Sequence, residues 1–230
     1  MSHVLVAGGS RGIGAATVKL FESKGYDVSY FYKHAPGSTG YGIKADVENL
    51  SEIRSGVLAS EDRFGPIGTL VYCAGISLTG LTTDFTYDDY LHVMNTNFGG
   101  FFALCNEVIP SMVSAKHGVI TAVSSMWGQT GASCESIYAA SKGAIDAYVK
   151  SLAKELGPSG IRVNAVSPGV IDTDMMSEYS DEDKEDLRNE TPLQRIGKPD
   201  DVANVIYSLS TERSSFITGQ IIGINGGFLI

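Results

Sequence analysis

Residues 3–14, His-Val-Leu-Val-Ala-Gly-Gly-Ser-Arg-Gly-Ile-Gly, decide how this chain folds. The apolar run 3–7 is short and rich in β-branched residues, which predicts a buried strand. Glycines follow at positions 8, 12 and 14, and apolar residues then recur with helical spacing from Ile13 to Ser23. A strand, a glycine-rich turn and a helix in this order predict a βα unit whose turn binds a phosphate group.

Each glycine of this turn has its own expected use. Gly8 permits a tight turn, Gly12 lets a phosphate approach the backbone, and Gly14 lets the helix pack closely against the sheet. The helix N-terminus presents free N–H groups and partial positive charge. We therefore expect a pyrophosphate to contact the turn residues Gly8, Ser10, Arg11, Gly12, Ile13 and Gly14.

Short apolar runs alternate with helical patterns along the rest of the chain. Strands are predicted at 3–7, 27–32, 41–45, 69–73, 118–123, 161–166 and 220–224, and helices at 13–23, 52–63, 87–112, 136–156 and 200–209. Strands this continuously apolar are buried on both faces. We therefore predict one α/β domain over residues 1–230, with a doubly wound, mainly parallel seven-stranded sheet and helices on both faces.

Two segments depart from this alternation. Residues 33–40 are too few and too rich in Gly, Pro and Ser for a crossover helix, so a loop or a single turn is predicted there. Residues 175–198 are polar and acidic, and we predict a mobile substrate flap with one short helix.

The composition argues against several kinds of partner. The 230 residues carry a net charge of −9, whereas a surface that binds duplex nucleic acid must be basic. No apolar run reaches the roughly 18 residues of a membrane helix, so we expect neither a membrane span nor a signal peptide. The three cysteines and four histidines are scattered, which favours free thiols, no metal site and a cytoplasmic location.

A serine, a tyrosine and a lysine form the candidate catalytic group. Ser125 ends the fifth predicted strand, and thirteen residues later Tyr138 and Lys142 lie four apart on one helix face. Ser125 and the turns at Gly75 and 168–169 follow strands at their carboxyl ends, where open α/β sheets bind ligands. We predict hydride transfer to a ketone, with Tyr138 as general acid, its pKa lowered by Lys142, and Ser125 hydrogen-bonded to the carbonyl oxygen.

From the glycine turn to the C-terminal motif 217–227, the chain resembles the short-chain dehydrogenase/reductase family, which has a Rossmann-like fold. The resemblance implies Asn97 as a fourth catalytic residue that holds a water relaying protons from the lysine, with Asn95 as the competing choice. The chain departs from the family at Cys73, usually Asn, which puts local stability in doubt. The implied further coenzyme contacts are Asp46, Val47, Ala74, Gly75, Tyr138, Lys142, Pro168, Gly169, Val170, Ile171 and Thr173.

The end of the second predicted strand favours NADP(H) over NAD(H). An acid there would bind the ribose 2′-hydroxyl and repel a 2′-phosphate, but the chain has Tyr32 at this position. Lys33 and Arg11 supply two cations for a 2′-phosphate. The shortened loop after Lys33 leaves the placement of that side chain open.

Two ketone substrates fit the sequence. The general resemblance is to bacterial 3-oxoacyl-[acyl-carrier-protein] reductases, which are homotetramers that dock an acidic carrier with basic residues. Of the two docking positions, one is Lys116 and the other Ser159, and the net charge of −9 disfavours an acidic partner.

The segment 124–135 instead resembles the reductases that convert an aminopentanone on elongation factor P into an aminopentanol. That substrate carries a cation, which Glu135 or the flap carboxylates would attract. Trp127 and Glu135 can equally be a packed wall residue and a helix N-terminal acid. A third hypothesis is an NADP(H) sensor without turnover.

Overall fold

Seven parallel strands form one sheet in the order β3-β2-β1-β4-β5-β6-β7. The structure is a computed structural model that describes residues 3–176 and 179–230. The strands are β1 (His3–Ala7), β2 (Asp27–Tyr32), β3 (Tyr41–Lys44), β4 (Thr69–Tyr72), β5 (Gly118–Val123), β6 (Ile161–Pro168) and β7 (Ile221–Ile224). The predicted doubly wound, seven-stranded fold is confirmed, and every strand pair is parallel.

Helices cover both faces of this sheet. They are α1 (Gly12–Ser23), α2 (Leu50–Phe64), α3 (Tyr87–Met94), α4 (Gly100–Ala115), α5 (Trp127–Thr130), α6 (Ser136–Leu156), α7 (Asp181–Glu190) and α8 (Pro199–Ser210). The chain order reverses between β1 and β4, which are neighbours in the sheet. A crevice opens at such a reversal, outside the carboxyl ends of the strands.

Successive side chains of β1 enter two different cores. Leu5 packs into a cluster with Leu104 and Ile145, on the face covered by α2, α4 and α6. Val6 packs on the opposite face with Phe21 and Ile206, from α1 and α8. Because both faces need apolar side chains, the strand is apolar throughout instead of alternating with polar residues.

The long helix predicted over 87–112 is divided by a π-helical turn at Asn95–Gly99. A π turn holds one extra residue and re-aims the side chains in it. Helix α5 was not predicted, because four residues carry too little periodicity. The loop predicted at 33–40 and the short helix predicted in the flap are confirmed. Residues 177 and 178 of the flap, like residues 1 and 2 of the domain, lie outside the described residues.

One helical segment is longer and more apolar than the sequence analysis expected. The continuous helical segment Tyr87–Ala115 is long and apolar enough to cross a membrane, by length and composition alone. Phe101, Leu104 and Val108 of this segment are fully buried against the sheet. The apolar side chains of this segment are therefore explained by packing in the protein core.

A buried histidine anchors the amino end of β1. One ring nitrogen, Nδ1, donates to the carbonyl of Gly65 at 2.7 Å, and Nε2 lies 2.9 Å from Ser29 Oγ and 3.0 Å from Ser60 Oγ. Burial lowers the pKa of His3, although the Gly65 carbonyl and the nearby carboxylates of Asp27 and Glu61 oppose the shift. The neutral ring is therefore the form that the folded protein favours.

We expect His3 to make the folded state less stable in mild acid. The unfolded chain takes up a proton at the ordinary histidine pKa of roughly 6.5, before the folded chain does, so stability falls as pH drops below that value. His3→Ala should lower the free energy of unfolding by about 1–3 kcal/mol at pH 7.5. Urea unfolding at pH 7.5 and 5.5 should show a smaller pH dependence in this variant than in wild type. The exposed His117→Gln is the control, and an equal reduction in that variant would contradict the assignment.

Candidate active site

A cavity of about 430 Å³ opens at the carboxyl ends of β1, β2 and β4, at the reversal of strand order. It is the place where sheets of this kind bind dinucleotides. Twelve of the residues predicted to contact a coenzyme line it: Gly8, Ser10, Arg11, Gly12, Ile13, Gly14, Lys33, Asp46, Val47, Ala74, Gly75 and Thr173. The first of these belong to the glycine turn, so the turn forms one wall of the cavity.

Other predicted coenzyme contacts lie elsewhere. Pro168 is the last residue of β6, and Gly169 follows it directly. The Gly169 N–H donates to the carbonyl of Ile224, the last residue of β7, at 3.0 Å. Val170 and Ile171 line a second, smaller cavity of about 190 Å³. The coenzyme roles of these four residues stay predictions.

The glycine turn is shaped as a cradle for an anion. Gly8 has φ +76°, and a Cβ there would lie 2.7 Å from Ala74 N, too close for any side chain. A Cβ on Gly14 would clash with the Gly8 carbonyl oxygen, so this close approach is made within the turn itself. At Gly12, with φ +53°, a Cβ would project toward Thr173 Cγ2 at 3.4 Å. Gly8 and Gly14 therefore let the turn close tightly, while the open backbone at Gly12, at a helix N-terminus, fits the pyrophosphate of a nicotinamide coenzyme.

The structure brings Ser125, Tyr138 and Lys142 together. Tyr138 and Lys142 share one face of α6, and the Ser125 hydroxyl at the end of β5 lies close enough to the phenol to influence its pKa. Lys142 Nζ lies 5.5 Å from the centre of the tyrosine ring and donates to the Val123 carbonyl at 2.8 Å. The ammonium is buried, which keeps it beside the phenol.

Burial controls the protonation of this group. It raises the pKa of Tyr138 to about 12, with the nearby Ser125 hydroxyl opposing and the Glu135 charge adding to the rise. It lowers the pKa of Lys142 to about 8, although the Asp146 carboxylate favours the cation. The expectation that Lys142 lowers the phenol pKa was wrong here, because desolvation dominates and the ammonium is hydrogen-bonded to a carbonyl. At neutral pH the phenol therefore holds its proton.

The side chain of Asn97 links the chain after β4 to α6, next to Lys142. Its Nδ2 donates to the Ile76 carbonyl and to Ser141 Oγ, both at 2.9 Å, and its Oδ1 accepts from Ile76 N–H at 2.8 Å. Asn97 is fully buried in the π turn, whereas Asn95 is exposed, so the geometry favours Asn97. Since its side chain is fully hydrogen-bonded, the water-holding role implied by the family resemblance would fall to its backbone.

Room for this arrangement comes from Gly75, after β4. A Cβ there would lie 3.3 Å from Lys142 Nζ and 3.4 Å from Asn97 Oδ1, tighter than ordinary contacts. Cys73, two residues before it, donates its backbone N–H to the Ala7 carbonyl at 2.9 Å, and its half-buried side chain packs against the core cluster beneath α1 and α8. The backbone at position 73 is thus anchored without the amide hydrogen bonds that an asparagine side chain would offer.

Both predicted phosphate-binding cations in the cavity wall are already paired. Lys33 Nζ lies 2.7 Å from Asp46 Oδ2 and 3.2 Å from Glu48 Oε1, and Arg11 Nη1 lies 3.5 Å from Asp174 Oδ2. The end of β2 has no acid of its own, but the chain after β3 brings two. Sequence reasoning missed Glu48, because only the parallel pairing of β2 and β3 places it beside Lys33.

The opposite end of the site carries a carboxylate near the phenol. Glu135 Oε1 accepts a hydrogen bond from Ser77 Oγ at 2.5 Å, and its charge acts on Tyr138 and on Tyr179 of the flap. Trp127 packs edge-on against Phe228, with ring centroids 6.1 Å apart. Glu135 therefore places a negative charge near the phenol, and Trp127 is packed against another aromatic ring.

Comparison with known proteins agrees with this geometry. Residues 7–229 match the family described as Enoyl-(Acyl carrier protein) reductase. The chain is 36% identical over 235 residues to the uncharacterized oxidoreductase YmfI of Bacillus subtilis, with 97% of each covered. It is 36% identical over 241 residues to 3-oxoacyl-[acyl-carrier-protein] reductase FabG of Thermotoga maritima, with 98% of this chain and 97% of the relative covered. The solved 3-oxoacyl-[acyl-carrier protein] reductase of Brucella melitensis superposes with a TM-score of 0.92 at 31% identity, over 99% of this chain and 91% of that one.

The close approach at Gly8 can be tested against a glycine of similar conformation. Gly25 has φ +81° with open space around it, so Gly25→Ala reports the left-handed backbone alone, at about 1 kcal/mol. Gly8→Ala also forces a Cβ against the backbone of Ala74, and overpacking of this kind costs about 1–3 kcal/mol more. Chemical unfolding should therefore show a larger loss of stability for Gly8→Ala. Equal losses in the two variants would contradict the contact.

Proposed function

The chain belongs to the short-chain dehydrogenase/reductase family, and from this premise we propose that it reduces a ketone to a secondary alcohol with NADPH. The family is one of oxidoreductases that act on ketones and alcohols with a nicotinamide coenzyme. The proximity of Ser125 to the Tyr138 phenol, with Lys142 buried beside the ring and hydrogen-bonded to the Val123 carbonyl, is the observation that carries the proposal.

In the proposed reaction the bound coenzyme supplies a hydride to the carbonyl carbon of the substrate. Ser125 holds the carbonyl oxygen, and Tyr138 donates its proton to the oxygen as negative charge develops. The Lys142 ammonium stabilises the phenolate that forms, and Asn97 fixes the chain around it. Hydride and proton together would convert the ketone into an alcohol, and the Tyr138 phenolate that remains would be reprotonated from solvent.

NADPH would be held along the large cavity. We assign the pyrophosphate to the glycine turn, the adenine to Asp46 and Val47, and the 2′-phosphate to Lys33 and Arg11. The nicotinamide end would meet Thr173, with Lys142 on its ribose. Two cations in the cavity wall, Lys33 at the end of β2 and Arg11 in the glycine turn, support this orientation, although both must exchange a carboxylate partner for the phosphate.

Our first choice of substrate is a 3-oxoacyl group on acyl carrier protein. The support is the relative from Thermotoga maritima, whose name states that activity, and the position of Lys116, which is exposed at the end of α4. A cytoplasmic homotetramer belongs to the same proposal. The sequence, with Ser159 at the other docking position and a net charge of −9, makes an acidic carrier the weaker part of it.

A second candidate substrate is a ketone that carries a cation, such as the aminopentanone on elongation factor P. Glu135 favours it, because this carboxylate is held by Ser77 within electrostatic reach of Tyr138. A cation would be attracted to that position, whereas an acyl chain gains nothing from it.

The two substrates can be separated by direct competition. With NADPH, an acetoacetyl thioester is offered against aminopentanone-modified elongation factor P, and Glu135→Gln is the paired variant. Faster turnover of the thioester, unchanged by the variant, supports the first choice. Preference for the aminopentanone, lost in Glu135→Gln, supports the second. NADPH binding without turnover of any ketone, in wild type and Tyr138→Phe alike, would identify a sensor.

We expect Tyr138→Phe to lower kcat for ketone reduction by about 10²–10⁴-fold, the contribution of a positioned general acid. The ring and the fold around it are retained, so the Kd for NADPH, measured by fluorescence titration, should stay within about twofold of wild type. The control is Tyr148→Phe, which removes a phenol hydroxyl from the same helix and should retain activity. A Tyr138→Phe enzyme with wild-type kcat would sink the proposed role.

Ketone reduction should slow as the pH rises above about 8. Lys142, with a pKa of about 8, then loses its proton, while Tyr138, with a pKa of about 12, keeps its own. The neutral amine no longer stabilises the developing phenolate. The measurement is kcat against pH from 6 to 10. Lys142→Arg keeps its charge over this range, so its profile should lack the fall near pH 8. A wild-type profile that is flat from pH 7 to 9 would contradict this role.

A further inference from the structure

Lys33 lies between two carboxylates that belong to one short segment. Asp46 and Glu48 follow β3, and both contact Lys33 Nζ, at 2.7 and 3.2 Å. All three residues line the large cavity. Among the described residues, Lys33 is the only lysine or arginine at the end of β2 that could bind an anion. Two negative charges already contact it.

Glu48 has a second partner on a different element. Its Oε2 lies 3.0 Å from Nδ1 of His92, which projects from α3 and also lines the cavity. Each oxygen of this carboxylate therefore has its own donor, the lysine on one side and the histidine on the other. The donors come from the end of β2 and from α3, so the contact exists only in the folded chain.

The two carboxylates are not equivalent for a ligand. Asp46 Oδ1 accepts the Glu48 backbone N–H at 3.1 Å, and its own backbone N–H donates to Glu52 at 2.9 Å, which fixes it in the loop. Glu48 has a longer side chain than Asp46, and its oxygen lies farther from Lys33 Nζ, at 3.2 Å against 2.7 Å. Glu48 is therefore the carboxylate that can give up the lysine most easily.

We propose that Glu48 is a positioning residue that sets how strongly the site distinguishes a 2′-phosphate from a 2′-hydroxyl. The inference rests on the proposed use of NADPH. Glu48 competes with the phosphate for Lys33, and its charge repels the phosphate. His92 holds the other oxygen of Glu48 and so weakens the competition.

The titration behaviour of these groups agrees with the contacts. The pKa of Lys33 is raised, chiefly by its hydrogen bond with Asp46. Burial raises the pKa of Glu48, but hydrogen bonds with His92 and Lys33 outweigh it, and the net shift is downward. All the carboxylates around Lys33 are therefore charged at neutral pH.

The experiment measures coenzyme selectivity, the ratio of the Kd for NADH to the Kd for NADPH, by fluorescence titration without a ketone. Glu48→Gln should raise this ratio by about tenfold, the effect of removing one like charge near an anion in a solvent-exposed site. His92→Ala should lower the ratio, because Glu48 then loses the hydrogen-bond partner of its second oxygen and competes more strongly for Lys33. Asp62→Asn on α2, outside the cavity, removes the same charge from the chain and should leave the ratio unchanged.

The ratio is expected to rise in Glu48→Gln and to fall in His92→Ala. General damage to the fold would instead weaken the binding of NADPH and NADH together and leave their ratio unchanged. If wild type binds NADPH and the ratio is the same in Glu48→Gln, the inference is overturned and the proposed function stands. If wild type prefers NADH, the proposed NADPH dependence fails, while a rise of the ratio in Glu48→Gln still supports the role of Glu48. Binding of neither coenzyme by the folded wild-type protein overturns both.

Discussion

The close contact between the glycine turn after β1 and the chain that leaves β4 is the constraint on which the site depends. Gly8 approaches Ala74 so nearly that no side chain fits between them. The contact joins the two strands at which the strand order reverses. It holds the anion cradle on one side and, two residues later, places Ile76 where Asn97 can clamp it. The coenzyme cavity and the catalytic group are thereby fixed to one another.

Burial explains why ordinary side chains can do acid chemistry here. The phenol and the amine are both removed from water, which favours the neutral form of each. Their pKa values consequently shift in opposite directions, to about 12 for Tyr138 and about 8 for Lys142. A neutral phenol can donate a proton to an oxyanion that exists only during the reaction. The Lys142 ammonium stabilises Tyr138 most once the phenol has lost this proton and become a charged phenolate.

The charges along the cleft are distributed unevenly. Along the cavity two cations meet three carboxylates: Lys33 contacts Asp46 and Glu48, and Arg11 contacts Asp174, so anion binding by these cations requires exchange of partners. Glu135 adds a negative charge that acts on the Tyr138 phenol. A fold shared with the solved 3-oxoacyl-[acyl-carrier protein] reductase of Brucella melitensis is thus combined with a carboxylate near this phenol. Substrate choice follows from such local charges and not from the fold.

The sequence by itself determined the sheet, the long helices that cover it and the residues of the glycine turn, but not the short helix α5. The predicted features follow from local signals: apolar runs buried on both faces, helical periodicity and glycines at a strand end. It also predicted that Ser125, Tyr138 and Lys142 meet, since two lie on one helix face and the third ends a strand. Only the tertiary structure decided the π turn at Asn97, the carboxylates around Lys33 and the direction of the Tyr138 pKa shift. These depend on desolvation and on contacts between residues distant in sequence, such as Glu48 with His92. No local pattern encodes them, because they arise when separate elements pack together.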